Sequence, residues 1–579
     1  MLILKRCPKA YTRDQDKALS PEQTVARVKA RLAERADGVL AETDRVDTGR
    51  LGIPVYVSVC GPRAALVMPT RKQMGKGASP AQAEASALME LVERFSFFSF
   101  FDDDDNFEYL TFSEAEARWP GGVVPLERIL QSVGESLDPE AARRVLDTRR
   151  WAFAPALDVA AGREVRLPLD WFRALNEFNG SSAGNSPEES VLQGSCELVE
   201  RHVCAVIDRT RPELPTIDPA GLGDPVLTGL LDRFTRHGIR VLLKDFTLGQ
   251  PAPTVAALAW DPSTFPGMSE IVFTAGTASS PVKAAIRALT EVAQLAGDFE
   301  TGRVYEASGL SKFTDPAQFA WLQSGPVVPL AALPSLEDPD IFQELMALAR
   351  GLAERGHALY AVDTTQADID VPAHYNIVPG FLFRERTPSA SLGMFVGRML
   401  AENADEDEAA DGLAVIAGVY PDAAFLPFFE GLLALRTGDH QSAAEHFAAS
   451  ESGQAAAGER ALSAFYQAYA LAQMGLWPET LPHLERAIAL DPEVKEFHNL
   501  KGVALFKARD FAAAAAAFSR VLDIDSSSAA DLANLGLCHK NLGRPEEAAD
   551  YLESALRLDP DLDWARDQLE ELRGTERMD

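Results

Sequence analysis

Cysteine is scarce in this chain: Cys7, Cys60, Cys196, Cys204 and Cys538 are the only five in 579 residues. None forms a C-x-x-C pair or a zinc-ligand spacing, which excludes a zinc ribbon, and a chain of this length does not need a disulfide framework. Long apolar runs are also missing, since none reaches the roughly 18 residues that cross a bilayer. The opening MLILKRCPKAYTRDQDK has a basic pair after four residues and no apolar h-region. The sequence therefore predicts neither a membrane span nor a secretory leader, and it points to the cytoplasm. Positive charge is short as well. With 55 Lys and Arg against 86 Asp and Glu, the net charge is −31. That argues against nucleic acid and anionic lipid as partners, because both need basic patches. It leaves room for a small anionic ligand in a locally basic or cation-filled pocket. The run FDDDDNF (Phe101–Phe107) is no exception, because four consecutive Asp cannot share a helical face. It reads as a solvated loop.

A 579-residue chain is too long for one ordinary core, so two or more domains are expected. The composition changes near residue 400. AENADEDEAADG (Ala401–Gly412) is acidic and almost free of large apolar residues, which suits a linker over residues 401–420. Before it, helical stretches alternate with the strand-like runs IPVYVSV (Ile53–Val59), IRVLLKDF (Ile239–Phe246), PTVAALAW (Pro253–Trp260) and EIVFTAGTA (Glu270–Ala278). Residues 1–400 are therefore expected to form an α+β domain. After the linker the chain repeats: AIALDP ends at Pro492 and ALRLDP at Pro560, 68 residues apart, which is twice 34. Gly502 and Gly536 share the 34-residue period, as do Ala514 and Ala548. This is the helix–turn–helix pattern of tetratricopeptide repeats. About four copies fill residues 421–579 as an all-α domain, and such arrays grip a peptide or protein in a groove.

One charged pentapeptide is written twice. ELVER occurs at Glu90–Arg94 and at Glu197–Arg201, each inside an apolar helical pattern. Ser86, Glu90 and Glu93 lie on one helical face, and so do Glu189, Gln193, Glu197 and Glu200. AAIRALTEVAQL (Ala284–Leu295) repeats the stripe with Arg287, Glu291 and Gln294. An isolated ELVER needs no more explanation than an i,i+4 ion pair worth about 0.3–0.5 kcal/mol on a solvated face. Three such stripes on apolar helices are different. Carboxylates gathered in a buried place repel unless cations neutralise them, and hard oxygen ligands suit Mg²⁺ shared with phosphates. Two small, polar segments precede the ELVER helices: RKQMGKGASP (Arg71–Pro80), which is no Walker A loop, and NGSSAGNS (Asn179–Ser186). Their amides and side chains are expected to face phosphate or sugar. His202, next to the second ELVER, lies off the stripe and is expected to be structural.

GKGASPAQAEASALMELVER, FNGSSAGNSPEESVLQGSCELVER and AAIRALTEVAQ resemble, in order and spacing, the three signature blocks of YcaO-domain proteins. The resemblance covers roughly residues 1–400. With its repeats the chain looks most like the YcaO subgroup associated with ribosomal protein methylthiolation, the accessory-factor type. The resemblance implies an internally duplicated α+β domain with a non-P-loop ATP site, followed by the repeat domain. ATP and Mg²⁺ are the cofactors it implies. Carried over, Lys17, Thr24, Ser86, Glu90, Ser182, Asn185, Glu189, Gln193, Arg201 and Arg287 would hold nucleotide. Glu90, Glu93, Glu197, Glu200 and Glu291 would hold metal, and Arg201 and Arg287 would act in catalysis. The reaction implied is phosphorylation of a peptide amide oxygen, followed by its replacement to give a thioamide or an azoline. VGRMLAENADEDE, where the domain is expected to end, lacks the Pro-x-Pro-x-Pro tail of azoline-forming members. That moves the expectation toward thioamidation or support of methylthiolation. An ATP-binding adaptor that recruits a methylthiotransferase through its repeats stays open as the alternative. A TfuA-like helper and a homodimer are further partners the resemblance implies.

Overall fold

The computed structural model describes every residue except 1, 48, 219–222, 264, 266–271, 296–314, 385–389, 526–527 and 577–579. Glu270 and Ile271 of the fourth expected strand fall outside it. Two units emerge: Met1–Leu137 with Arg150–Ala390, and Asp138–Arg149 with Ser391–Asp579.

Among the described residues, fourteen strands build the first unit. They are β1 (Leu40–Arg45), β2 (Val55–Cys60), β3 (Lys72–Lys76), β4 (Glu108–Leu110), β5 (Trp151–Asp158), β6 (Arg163–Pro168) and β7 (Ser181–Ala183), then β8 (Thr216–Asp218), β9 (Arg240–Asp245), β10 (Thr254–Trp260), β11 (Val272–Thr277), β12 (Val327–Pro329), β13 (Tyr360–Asp363) and β14 (Ala373–Ile377). Three sheets result, in the orders β1-β2-β3, β11-β10-β9-β8-β12 and β4-β5-β13-β14-β7, with β6 on β5. The four strand-like runs of the sequence match β2, β9, β10 and β11. β10 is buried along almost its whole length, as its unbroken apolar run requires.

The ELVER helices span Pro80–Phe101 and Pro187–Thr210. Each begins Ser-Pro, and the Ser79 and Ser186 side chains cap the N–H groups of Gln82 and Glu189. Proline then takes the first helical position, where its missing N–H costs nothing. The third striped helix, Pro281–Leu295, also follows a serine, Ser280. The duplication thus extends to the helix starts. The apolar sides of the ELVER helices lie in two cores, Leu88, Leu91, Val92 and Phe95 in one and Val191, Leu198, Val199 and Val203 in the other. Burying one side of each leaves the glutamate stripes on the other.

Half of RKQMGKGASP is strand. Gly75 and Lys76 end β3, and the chain runs directly into the first ELVER helix. A Cβ on Gly75 would lie 2.0 Å from the Ala87 nitrogen and 2.3 Å from the Ala83 carbonyl, so strand and helix touch backbone to backbone. FDDDDNF is an exposed turn with Asp103 capping a short 3₁₀ segment.

In the second unit the stretch expected as a linker is helical. Ala401–Asn403 end the helix Leu392–Asn403, and Glu406–Val419 form the next one. Asp405 caps Glu408, and Glu406, Asp407 and Glu408 fill the first turn, where acidic side chains favour the positive end of the helix dipole. What reads as a solvated charge run is a helix start. Four helix pairs follow from Leu426 to Leu558, and Asp563–Glu576 closes the array. Gly431, Gly502 and Gly536 sit where the second helix of a pair presses Phe447, Phe518 or Leu552 against the first. Among the described residues no helix is long and apolar enough to cross a membrane.

Candidate active site

A cleft of about 560 Å³ opens in the first unit between the three striped helices and residues 15–24. Lys17, Thr24, Ser86, Glu90, Glu93, Asn185, Glu189, Gln193, Glu197, Glu200, Arg201, Arg287 and Glu291 line it. Gln294, the end of the third stripe, lines it too.

Each carboxylate there meets a cation or an N–H donor. Arg94 lies 3.4 Å from Glu93 and 3.9 Å from Glu90. Arg201 donates to Glu197 at 2.8 Å. Glu200 accepts the Thr277 N–H at 2.7 Å, and Lys76 is paired with Glu291. Glu189 accepts the Ala18 N–H at 2.8 Å and the Asn185 side chain at 3.0 Å, with Lys17 3.5 Å away. Asn185 in turn accepts from the Thr24 hydroxyl at 3.1 Å. Arg287 donates to Gln193 at 3.0 Å, while its buried Nε has no hydrogen-bond partner among the described residues.

The crowding is visible in the acid strengths. Burial, reinforced by Glu197 and Glu90, outweighs Arg94 and pushes Glu93 up to about 8. Glu90 and Glu200 are also raised, chiefly by burial. Burial opposes ionisation of Glu197 as well, but Arg201, Arg94 and Arg287 overcome it and hold its carboxyl below the usual range. Lys76 falls to about 8 through burial and the nearby Arg287. Six carboxylates and six cationic side chains meet in this one cleft, and raised glutamates beside a lowered lysine are the kind of perturbation that marks a functional site.

Ser182 departs from the expectation. It is buried, accepts from Asn376 at 2.9 Å, and is absent from the cleft wall. Strand alternation in β7 turns it away and points its neighbour Ser181 at the cluster instead, where Ser181 donates to Glu93 at 2.9 Å and accepts from Arg94 at 3.1 Å. Gly194 of the second ELVER helix makes room for this arrangement, since a Cβ there would lie 2.3 Å from Asn376 and 2.6 Å from the Ser182 hydroxyl. His202 stacks on Phe381 with ring centroids 4.3 Å apart and accepts the Leu382 N–H at 3.0 Å, a structural placement. Gln15, Gln82 and Arg384 also line the cleft. Gln82 extends the first stripe one turn back from Ser86, a spacing that could have found it, whereas Gln15 and Arg384 are brought there by tertiary contact.

The donor set fits Mg²⁺ and a nucleotide. Six carboxylates, Glu189 among them, offer hard oxygens, and Lys17, Lys76, Arg94, Arg201, Arg287 and Arg384 face the same space. Among the described residues the buried Arg287 Nε has no acceptor, so this donor is free to meet one. Among the described residues no three His, Cys, Asp or Glu side chains form a ready-made cage.

A family model described as YcaO cyclodehydratase, ATP- and Mg²⁺-binding, matches residues 74–382. Tetratricopeptide repeat models match 465–529 and 529–562. An uncharacterized protein of Methanothermobacter thermautotrophicus is 28% identical over 379 residues, 59% of this chain and 89% of the relative. The Escherichia coli ribosomal protein S12 methylthiotransferase accessory factor YcaO is 27% identical over 216 residues, 33% of this chain and 35% of that protein. The fold resembles a solved heterocyclase in complex with substrate and cofactor, with a TM-score of 0.53 and 22% identity. That match covers 66% of this chain and 54% of the heterocyclase, so the chain spans about half the heterocyclase's length. With more than half its length matched by the family model, the chain belongs to the ATP- and Mg²⁺-binding YcaO family and carries a C-terminal tetratricopeptide repeat region.

Proposed function

We propose that this protein uses Mg²⁺-ATP to activate a backbone amide of a peptide or protein by O-phosphorylation, leading to a thioamide or an azoline or supporting methylthiolation of a ribosomal protein. The supporting observation is the single cleft in which Glu90, Glu93, Glu197, Glu200 and Glu291 face Lys17, Lys76, Arg94, Arg201 and Arg287. An amide oxygen is a poor leaving group. Bound Mg²⁺-ATP supplies the phosphoryl group that lets it depart as phosphate once a thiol, hydroxyl or sulfide attacks the carbon.

The chain's residues supply position and charge. Glu90, Glu93, Glu197, Glu200 and Glu291 would hold Mg²⁺, while Asn185, Glu189, Gln193, Thr24 and Ser86 would orient the nucleotide. Lys17, Arg201 and Arg287 would offset charge developing on the phosphoryl oxygens. Such preorganised charge is the main catalytic resource in phosphoryl transfer. Ser182 would act on this site only through Asn376 and Ser190, which it contacts.

The reading is tested by calorimetric titration of ATP with Mg²⁺ into the wild type and into Glu90→Gln/Glu197→Gln. Binding at about micromolar Kd in the wild type should weaken at least about a hundredfold in the double variant, a change of ~3 kcal/mol. Equal binding would reduce the stripes to ion-paired helix faces and remove the site. Mass spectrometry of peptides incubated with ATP and sulfide then decides the product, since exchange of oxygen for sulfur and loss of water differ.

A second reading is an ATP-binding adaptor. The repeat array of the second unit favours it, as does the printed role of the Escherichia coli relative as an accessory factor. A nucleotide-dependent complex with a partner protein, without new mass on any peptide, would select the adaptor.

A further inference from the structure

One wall of the cleft is built from chain that has little local reason to be there. Residues 10–17 form a small closed loop, fastened at its neck where Lys17 N donates to the Tyr11 carbonyl at 2.9 Å and Tyr11 N to the Lys17 carbonyl at 3.1 Å. Gln15 and Lys17 of this loop line the cleft. Below the neck, Lys9 reaches Asp16 at 2.9 Å and the fully buried Glu344 at 2.6 Å.

The tip is held from the other side. Lys283, in the first turn of the third striped helix, is 7% exposed. Its ammonium donates to the carbonyls of Thr12 at 2.8 Å and Arg13 at 2.7 Å. Among the described residues it has no carboxylate partner within ion-pair distance. A buried charge held only by two neutral carbonyls is a costly way to fill space. The cost is understandable if the contact fixes a part of the molecule that must not move. Lys283 lies one helical turn before Arg287, so the same helix face carries a cleft arginine and the lysine that fastens the loop. A small cavity of about 50 Å³ behind the cleft is bordered by Gln15, Lys17, Lys283 and Arg287, which places all four around one space.

We infer that Lys283 is a positioning residue for the nucleotide: it fastens residues 10–17 so that Gln15 and Lys17 form the cleft wall, and it couples their placement to that of Arg287. The inference rests on the reading of the cleft as the ATP site. Lys283→Met removes both donors at nearly constant volume. Lys283→Arg restores two donors of the same charge, and Lys283→Gln keeps a neutral donor should the methionine variant fail to fold.

Two measurements decide it. The first is amide hydrogen exchange in the full-length protein without nucleotide. Lys283→Met should accelerate exchange at least about tenfold in residues 10–18, with the helices around the cleft unchanged, and Lys283→Arg should return it to the wild-type rate. The second is calorimetry with Mg²⁺-ATP. Affinity should fall about tenfold in Lys283→Met and recover in Lys283→Arg, and where turnover is measured, KM for ATP should rise while kcat at saturation holds. If exchange in residues 10–18 is unchanged, or if affinity falls without any change in exchange, the positioning role is wrong. If all variants including the wild type fail to bind ATP, the cleft reading fails, and the exchange comparison still decides whether Lys283 fastens the loop.

Discussion

His374 is buried beneath the site at 1% exposure, with Nδ1 2.9 Å from the Ser190 hydroxyl. Ser190 spends its own proton on the Ser182 carbonyl, so the imidazole donates from Nδ1, and its Nε2 has no partner among the described residues. Burial pushes this group down to about 4, against the opposing pull of Asp363. The folded value lies below the ordinary value near 6.5, so below that pH the unfolded chain takes up a proton that the native state refuses. Stability present at neutral pH is therefore lost as pH falls from about 6.5 toward 4, by up to ~3 kcal/mol for the full shift. Urea unfolding of the wild type and His374→Asn between pH 7 and 5 measures this as a difference of slopes. The wild type should lose stability faster on acidification, by close to one proton. Parallel curves would show that His374 titrates normally or that the pocket opens. The same residues show what the sequence could and could not reveal at this scale. Glu90, Glu93, Glu197 and Glu200 were legible because helical spacing determines which side chains share a face. Ser181 and Ser182 were not separable, because the choice between them depends on β7 pairing with β14, a long-range contact that a one-residue shift would reverse.

Between elements, the contact that sets the first ELVER helix is the meeting of β3 with its first two turns. Gly75 has no side chain there because the Ala83 and Ala87 backbone occupies the space. Gly75→Ala would force strand and helix apart at the point where Lys76 turns toward Glu291. Overpacking against backbone cannot be relieved by a rotamer change, so a loss of about 3 kcal/mol is expected. A thermal melt should drop accordingly, and Mg²⁺-ATP affinity should weaken more than in a surface control such as Gly229→Ala, where a Cβ meets nothing within 4 Å. An unchanged melt would mean the approach is looser than the structure shows. Glycine before the helix reads in the sequence as a phosphate-facing loop, since the same residue serves both purposes. The acidic stretch at 401–420 was misread for a related reason. Charge density marks both linkers and helix first turns, and only the cap at Asp405 tells them apart.

At the scale of the whole molecule, composition points to a boundary near residue 400, whereas the C-terminal unit begins at Ser391 and the division is not a single cut. Asp138–Arg149 belongs with the C-terminal residues. Its helix, Pro139–Leu146, is met by the helices Leu392–Asn403 and Glu406–Val419, and its Ala142, Val145 and Leu146 are fully buried. Eight residues with three core side chains carry no periodic signal long enough to assign a partner, so this excursion could not be read in advance. It has a practical consequence. A truncation ending at residue 390 keeps Asp138–Arg149 but removes the helices it packs on, leaving three apolar side chains and a short helix without support. Helices this short are marginal without tertiary contacts, and the exposed face favours association. The 1–390 fragment should therefore melt earlier and elute partly as aggregate. The same fragment with residues 138–149 replaced by a Gly/Ser loop should be monodisperse and recover its melting temperature. Equal behaviour of the two fragments would show that Pro139–Leu146 draws its stability from elsewhere, and that the chain separates cleanly at residue 390.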